Sequence, residues 1–154
     1  MDESGVDSFF HNPYGWASRG KKVYGDVPGK RYARESFVAG LCNGKVLAPF
    51  CYEGTCHTEL FNFWVEKFLV QELEAGQVVI MDNAAFHKSE KTRELIEQAG
   101  CKLVFLPPYS PDLNPIETFW ANLKYKIKTC LRQGEKTLQY AIDNAFQEYH
   151  KIPI

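Results

Sequence analysis

Three acidic residues, Asp2, Asp82 and Glu117, are the side chains of this sequence whose positions best suit chemistry. Asp82 ends the apolar run QVVIMD, and ligands of α/β sheets gather beyond the carboxyl ends of parallel strands. Asp2 would join Asp82 if residue 2 ends a neighbouring strand. Converging carboxylates repel one another unless cations neutralise them, and their hard oxygens suit Mg²⁺ or Mn²⁺. Two such ions, roughly 4 Å apart, can activate a water molecule and stabilise the leaving oxygen in phosphodiester displacement.

A proline-rich stretch, KLVFLPPYSPDLNPIETF, determines where Glu117 lies. Pro107 and Pro108 must end the preceding strand, because proline lacks the amide donor that a strand needs. Asn114 is a good N-cap and Pro115 suits the first helical position, which puts Glu117 in the first turn of a helix. Two functions remain open for Glu117: a capping-box glutamate, or a carboxylate that the prolines direct toward Asp82. Asp82 likewise has the alternative of a turn residue.

Composition indicates one globular domain spanning residues 1–154. The 154 residues are 45% hydrophobic, which is enough apolar material for a core. A formal net charge of −1 argues against a strongly basic DNA-binding module, so any nucleic-acid contact must be local. Five scattered cysteines and the absence of a signal-peptide pattern at the N-terminus predict a reducing, cytoplasmic location.

The order of predicted elements indicates an α/β domain with a mixed sheet flanked by helices. Two β-prone segments, 35–42 and 45–54, flank Asn43-Gly44 and predict an antiparallel hairpin. The apolar runs at 77–83 and 101–106 predict parallel strands buried on both faces, joined through a helix. Apolar residues at helical spacing predict the helices, and Thr58 is a residue that can cap the first of them. The predicted helices cover residues 58–73, 88–100, 115–133 and 137–150.

Basic residues offer a local surface for a phosphate backbone. Lys124, Lys128 and Arg132 follow one another at a spacing of four, so they form one stripe on the helix after Glu117. The stripe is either a solvated helix face or a track of phosphate contacts that leads to the acidic residues. Five further basic residues would extend the track: Lys21, Lys22, Lys30, Arg31 and Arg34.

His87, five residues after Asp82, has two interpretations as well. It could contact a substrate or the attacking water, since histidine titrates near neutral pH, or it could make a structural hydrogen bond. Glu3 is better interpreted as a residue that supports the site than as a metal ligand, and Asp112 as a turn residue.

Three segments together resemble the DDE transposases of the mariner-like superfamily, particularly the bacterial insertion-sequence branch. These segments are MDESG, VVIMDNAAFHKS and LVFLPPYSPDLNPIETFWANLK, so the resemblance spans nearly the whole chain. The third is the most specific, because Tyr109, Ser110, Pro111, Asn114 and Trp120 all stand where the pattern of that family has them. The interval between the last two acids, residues 83 to 116, is typical of the same branch.

The resemblance implies an RNase H-like fold in which Asp2, Asp82 and Glu117 hold two Mg²⁺ or Mn²⁺ ions. It implies cleavage of double-stranded DNA at transposon ends and transfer of the cut strand into target DNA. Transposases of this kind commonly act as dimers on paired ends, so a homodimer is among the implied partners.

The sequence departs from the family at its start. In relatives the first aspartate comes late on the first strand, after a helix-turn-helix region that reads the transposon end, whereas here Asp2 follows Met1 directly. Two expectations follow: an upstream helix-turn-helix product completes a split transposase, or the chain is an inactive fragment that binds DNA or dimerises. An RNA·DNA-hybrid nuclease on the same fold is a further alternative.

Overall fold

Three strands in the first part of the described chain form an antiparallel sheet. The computed structural model describes residues 1–8, 34–108, 110–134 and 136–150. Its first sheet has the order β1-β2-β3, with both neighbouring pairs antiparallel. Asn43 and Gly44 join β2 to β3 at φ 50° and 79°, the left-handed conformation that a tight hairpin turn requires. The predicted hairpin is therefore confirmed. The strands are β1 (Asp2–Asp7), β2 (Arg34–Cys42) and β3 (Lys45–Glu53).

The helix predicted from residue 58 forms, with two differences. It begins as α1 (Thr58–Trp64), widens into a π-helical turn (Val65–Leu69) and ends as the short α2 (Val70–Glu72). His57 is its N-cap and accepts a hydrogen bond from the Leu60 amide at 3.3 Å, so the prediction that Thr58 caps the helix was wrong. An imidazole nitrogen can accept this bond as a hydroxyl does, and the sequence offered both residues side by side.

A parallel pair of strands follows, as predicted. Strands β4 (Val78–Met81) and β5 (Lys102–Phe105) pair in parallel and are connected through α3 (Glu90–Gln98). The prediction that both strands are buried on both faces was wrong. In β4 the burial alternates, with Val79 and Met81 inside while Val78 and Ile80 are 53% and 42% exposed. Alternation arises because successive side chains of a strand point to opposite faces, and only one face of β4 is covered.

The strands form two sheets among the described residues, rather than the single mixed sheet that was predicted. The antiparallel sheet contains β1 to β3, and the parallel sheet contains β4 and β5. The N-terminal ammonium of Met1 links them by donating a hydrogen bond of 2.7 Å to the Ile80 carbonyl. This contact brings the start of β1 beside the carboxyl end of β4.

Two apolar clusters hold the sheets and helices together. In the first cluster, the buried face of α4 (Ile116–Arg132) packs against α5 (Leu138–His150) and against Phe37 of β2. The centroid of the Trp120 ring lies 5.1 Å from that of the Phe37 ring. In the second, Phe61 and Trp64 of α1 pack with Met81 of β4. No helix of the described ranges has the length and apolarity that crossing a membrane requires. Asp2 is the first residue of β1 and Asp82 directly follows the last residue of β4, so both acids lie at ends of strands that pack against these clusters.

Candidate active site

Asp82 and Glu117 line the same cavity, which has a volume of about 420 Å³. Asp82 follows the last residue of β4, and Glu117 lies in the first turn of α4. The wall between them is the segment after β5, which includes Pro107, Pro108 and Pro111. The structure thus places these two acids together, as the argument from strand ends predicted.

The proline segment positions Glu117 through backbone contacts. Residues Pro111–Leu113 form a 3₁₀ turn, and the buried Asn114 accepts a hydrogen bond of 3.0 Å from the Glu117 amide through its carbonyl. Pro115 occupies the N-cap position of α4, and no side-chain hydrogen bond caps this helix. The predicted Asn114 side-chain cap is therefore wrong, because the carbonyl rather than the side chain of Asn114 receives the amide.

Asp2 lies beside both acids but is buried, with 7% of its surface exposed. Its Oδ1 accepts a hydrogen bond of 2.8 Å from the Glu3 amide. Burial raises the pKa of Asp2 to about 7; the amide contact opposes the shift, and the charges of Glu3, Glu117 and Asp82 add to it. The three predicted acids therefore lie within electrostatic reach of one another.

The chemistry of this group suits a divalent cation. Burial and, to a lesser degree, the neighbouring carboxylates raise the pKa of Asp2, so a bound cation would favour its ionised form, and hard oxygen donors select Mg²⁺ or Mn²⁺. Within the described part of the chain, no three histidine, cysteine, aspartate or glutamate side chains stand close enough together to form a metal site as they are placed. Asp2, Asp82 and Glu117 stay the predicted ligands.

His87 is buried between two carboxylates. Its Nε2 lies 2.6 Å from Glu3 Oε1, and its Nδ1 lies 2.5 Å from Asp82 Oδ1, although the Nδ1–H bond is poorly aligned with that oxygen. The rings of Phe61 and Phe86 lie 4.4 and 4.5 Å from the imidazole. Burial lowers the pKa of His87, but the two carboxylates raise it by more, to about 9. The imidazolium in turn lowers the pKa of Asp82.

This position corrects the prediction that His87 contacts DNA. The side chain has no exposed surface, and both ring nitrogens face protein carboxylates, so the structural alternative is the one that the geometry supports. The sequence signal was the proximity of His87 to Asp82. The Glu3 contact had no such signal, because the two residues are 84 positions apart.

The ammonium of Met1 lies close to the acidic group, a contact that sequence reasoning missed. Burial lowers its pKa, and the charges of Asp2, Glu3 and Asp82 partly offset that effect. Because it bonds to the Ile80 carbonyl, two residues before Asp82, it adds a positive charge at the edge of the acidic group.

The predicted basic residues divide into three sets. Arg34 and Lys124 line a second cavity of about 630 Å³, together with Glu3. Lys128, one helical turn beyond Lys124, lies 2.8 Å from Asp7 Oδ1, and Arg132 is the last residue of α4. The predicted DNA contacts at Lys21, Lys22, Lys30 and Arg31 lie outside the described residues.

We expect His87→Phe to destabilise the protein by about 3 kcal/mol, because it leaves the largely buried Glu3 carboxylate without its partner. His87→Gln keeps an N–H donor, so it should destabilise the protein by less than His87→Phe does. His57→Asn is the matched control: an exposed histidine whose capping role asparagine can fulfil, so its effect should stay within about 0.5 kcal/mol. Urea unfolding followed by circular dichroism measures all three, and a His87→Phe protein as stable as wild type would contradict the ion pair.

Comparisons with known proteins agree with this architecture. The family model described as DDE superfamily endonuclease matches residues 1–138. Comparison with curated proteins finds no match. Among solved structures, the Mos1 strand transfer complex has a TM-score of 0.64 at 14% identity, covering 97% of this chain and 52% of the Mos1 chain. The Mos1 mariner paired end complex with Mn has a TM-score of 0.58 at 14% identity, with coverage of 97% and 53%.

An integrase core shares the same architecture. The catalytic core domain of BIV integrase has a TM-score of 0.56 at 15% identity, covering 77% of this chain and 75% of that domain. These likenesses confirm the predicted RNase H-like fold. The chain spans about half the length of the Mos1 chains that it matches. With the family model extending over most of its length, the chain belongs to the DDE superfamily endonucleases.

Proposed function

We propose that this chain is the catalytic domain of a DNA transposase, which cuts DNA strands and joins them to a target. The observation that carries the proposal is the shared cavity of Asp82 and Glu117, with Asp2 buried beside them. Membership in the DDE endonuclease family supports strand cleavage, and the Mos1 neighbours are transposase complexes whose names include strand transfer and paired ends.

Each acid has a role in this proposal. Asp82, Glu117 and Asp2 would hold a pair of Mg²⁺ or Mn²⁺ ions, which when bound supply water activation and stabilisation of the leaving oxygen. His87 keeps Asp82 ionised by lowering the pKa of that carboxyl, so that its oxygens are available as ligands. Glu3 fixes the imidazole from the other side. The proline wall holds Glu117 at the cavity, which keeps the donor oxygens preorganised.

Arg34 and Lys124 are the described cations best placed to bind the DNA backbone. Both line the 630 Å³ cavity, where Glu3 connects this surface to His87 and Asp82. The lack of a side chain at Gly5 makes room for Arg34, since an added Cβ would lie 3.0 Å from its guanidinium nitrogens. A DNA phosphate bound in this cavity would lie on the surface that leads to the predicted catalytic acids.

We expect Arg34→Gln and Lys124→Gln each to weaken DNA binding and to reduce the slope of log affinity against log salt by about 1, the effect of losing one phosphate contact. Lys67→Gln is the matched control, because Lys67 lies outside both cavities and pairs with Glu66 at 2.7 Å. Fluorescence anisotropy with a labelled duplex at several salt concentrations measures the slope. Equal slopes for Lys124→Gln and Lys67→Gln would contradict the proposal that Lys124 contacts a DNA phosphate.

The test of the proposed function is a cleavage and joining assay. The protein is incubated with Mn²⁺, a supercoiled plasmid and a labelled duplex with a free 3′-hydroxyl, and in a separate reaction with Mn²⁺ and a labelled RNA·DNA hybrid. Metal-dependent nicking together with covalent transfer of the label into the plasmid is the expected result. Cutting of an RNA·DNA hybrid without any strand joining would instead support a hybrid nuclease and contradict the proposal.

A further inference from the structure

The side chain of Asn114 is a buried polar group that the fold itself does not use. Asn114 lies between the proline segment and α4, with only 5% of its surface exposed. Both of its backbone groups are occupied: the amide donates to the Pro111 carbonyl at 2.9 Å, and the carbonyl accepts from the Glu117 amide at 3.0 Å. Its side-chain amide makes no hydrogen bond to any residue that the structure describes.

This side-chain amide opens onto the acid-lined cavity. Within the described ranges, the side-chain polar atoms that are sealed from solvent and lack a well-aligned hydrogen bond are His87 Nδ1 and Trp120 Nε1. The oxygen and nitrogen of the Asn114 amide are therefore not sealed, and the space that Asn114 borders is the cavity of Asp82 and Glu117. Burying an amide without a partner costs free energy, so this amide indicates a hydrogen bond that a ligand completes.

The surroundings of the Asn114 amide favour an anion that presents oxygen atoms. Pro115 opens α4 and no side chain caps that helix, so its first-turn amides and the positive end of its dipole lie next to Asn114. Phosphate groups bind at helix ends of this kind through N–H donors. The Asn114 amide adds one more N–H donor at this end of the cavity.

A donor without charge suits a cavity that also contains carboxylates. A lysine or arginine in the place of Asn114 would pair with Asp82 or Glu117 and would compete with a divalent cation for their oxygens. The asparagine N–H can donate to a phosphate oxygen while both acids keep their charge for the cation. The residue type thus fits a contact with the substrate better than a contact with the acids.

We propose that Asn114 is a further catalytic residue, whose side-chain N–H donates to a non-bridging oxygen of the scissile DNA phosphate. The inference rests on the proposed function, because it names the group of the cavity that contacts the phosphate. In nicking, a water oxygen forms a bond to phosphorus and the bond from phosphorus to the 3′-oxygen breaks. One proton of the water ends on the 3′-hydroxyl, and the new 5′-phosphate releases the other to solvent. Negative charge grows on the non-bridging oxygens in the transition state, so a preorganised N–H donor lowers the barrier.

Two substitutions test the donor. Asn114→Ala removes the amide, and Asn114→Asp keeps its shape and an acceptor oxygen but lacks the N–H. We expect each to nick supercoiled plasmid with Mn²⁺ about 10²-fold more slowly than the wild type, the usual effect of removing one such donor. Asn144→Ala is the matched control and should nick at the wild-type rate, because Asn144 lies outside this cavity and donates to Glu148 at 3.5 Å. Circular dichroism verifies that the variants are folded.

A calorimetric titration with Mn²⁺ in the absence of DNA separates a phosphate contact from support of the metal site. Asn114→Ala should bind Mn²⁺ as tightly as the wild type, because the lost donor serves the phosphate and not the cation. Weaker Mn²⁺ binding by Asn114→Ala would show that Asn114 positions Glu117 or is itself a ligand, and would overturn the proposal.

The nicking rates can overturn the proposal as well. A wild-type rate in Asn114→Ala would show that the amide has no part in the reaction, and a wild-type rate in Asn114→Asp would show that its oxygen acts instead of its N–H. In either case the wild type still nicks, so the proposed function stands. A wild-type protein that does not nick plasmid with Mn²⁺ would contradict the proposed function, and this inference with it.

Discussion

Asp82→Asn should abolish metal-dependent DNA nicking while leaving the fold intact. The substitution keeps the shape of the side chain but removes the charge that a divalent cation needs, and the lost stabilisation of several kcal/mol corresponds to a rate lower by about 10³-fold. Glu117→Gln should have an effect of the same order, because Glu117 lines the same cavity. The measurement is the initial nicking rate of supercoiled plasmid with Mn²⁺.

The control for this prediction comes from the same segment. Asp112 lies in the 3₁₀ turn Pro111–Leu113 and does not line the cavity. The Asp112→Asn protein should therefore nick supercoiled plasmid at the wild-type rate. Circular dichroism verifies that all variants are folded. Wild-type nicking by Asp82→Asn would rule out the proposed chemistry, whereas equal loss in Asp112→Asn would attribute the effect to general charge removal.

Trp64→Ala should cause the largest loss of stability, about 3 to 5 kcal/mol of unfolding free energy. Trp64 is fully buried against Phe61, with ring centroids 5.6 Å apart, and its Nε1–H donates to the Ala48 carbonyl at 2.8 Å. Ala48 has φ 48°, a left-handed conformation that costs a non-glycine residue energy, and the hydrogen bond helps to hold it there.

A second substitution separates the two contributions of Trp64. Trp64→Phe keeps most of the apolar contact and loses only the donor, so about 1 to 2 kcal/mol should be lost. Phe63→Ala is the neighbouring control, because Phe63 is exposed and should change the stability by less than about 1 kcal/mol. Urea unfolding provides the free energies. If Trp64→Ala were no more destabilising than Phe63→Ala, the packing of α1 against the sheet would differ from the one described.

The elements that local chemistry defines were predictable from the sequence. Asn43-Gly44 specifies its own turn, and the meeting of Asp82 with Glu117 followed from a strand end and a proline segment. Both arguments use residues close together in sequence, or the general rule that ligands gather at one end of parallel strands.

The remaining features depend on contacts that no local pattern encodes. Glu3 pairs with His87 across 84 positions, and Lys128 with Asp7 across 121. The exposure of Val78 and Ile80 depends on which faces of β4 are covered by other elements. A short apolar run does not distinguish a strand that is covered on one face from a strand that is covered on both. Tertiary packing, rather than local secondary-structure propensity, determines these ion pairs and the exposure of β4.

The measurement that tests the central claim most directly is a calorimetric titration of the 154-residue chain with Mn²⁺, beside Asp82→Asn and Glu117→Gln. The account predicts saturable binding by the wild type and its loss in both folded variants, with binding retained in Asp112→Asn. A folded wild type that binds no Mn²⁺, or variants that bind as tightly as the wild type, would contradict the claim that Asp82 and Glu117 hold the metal.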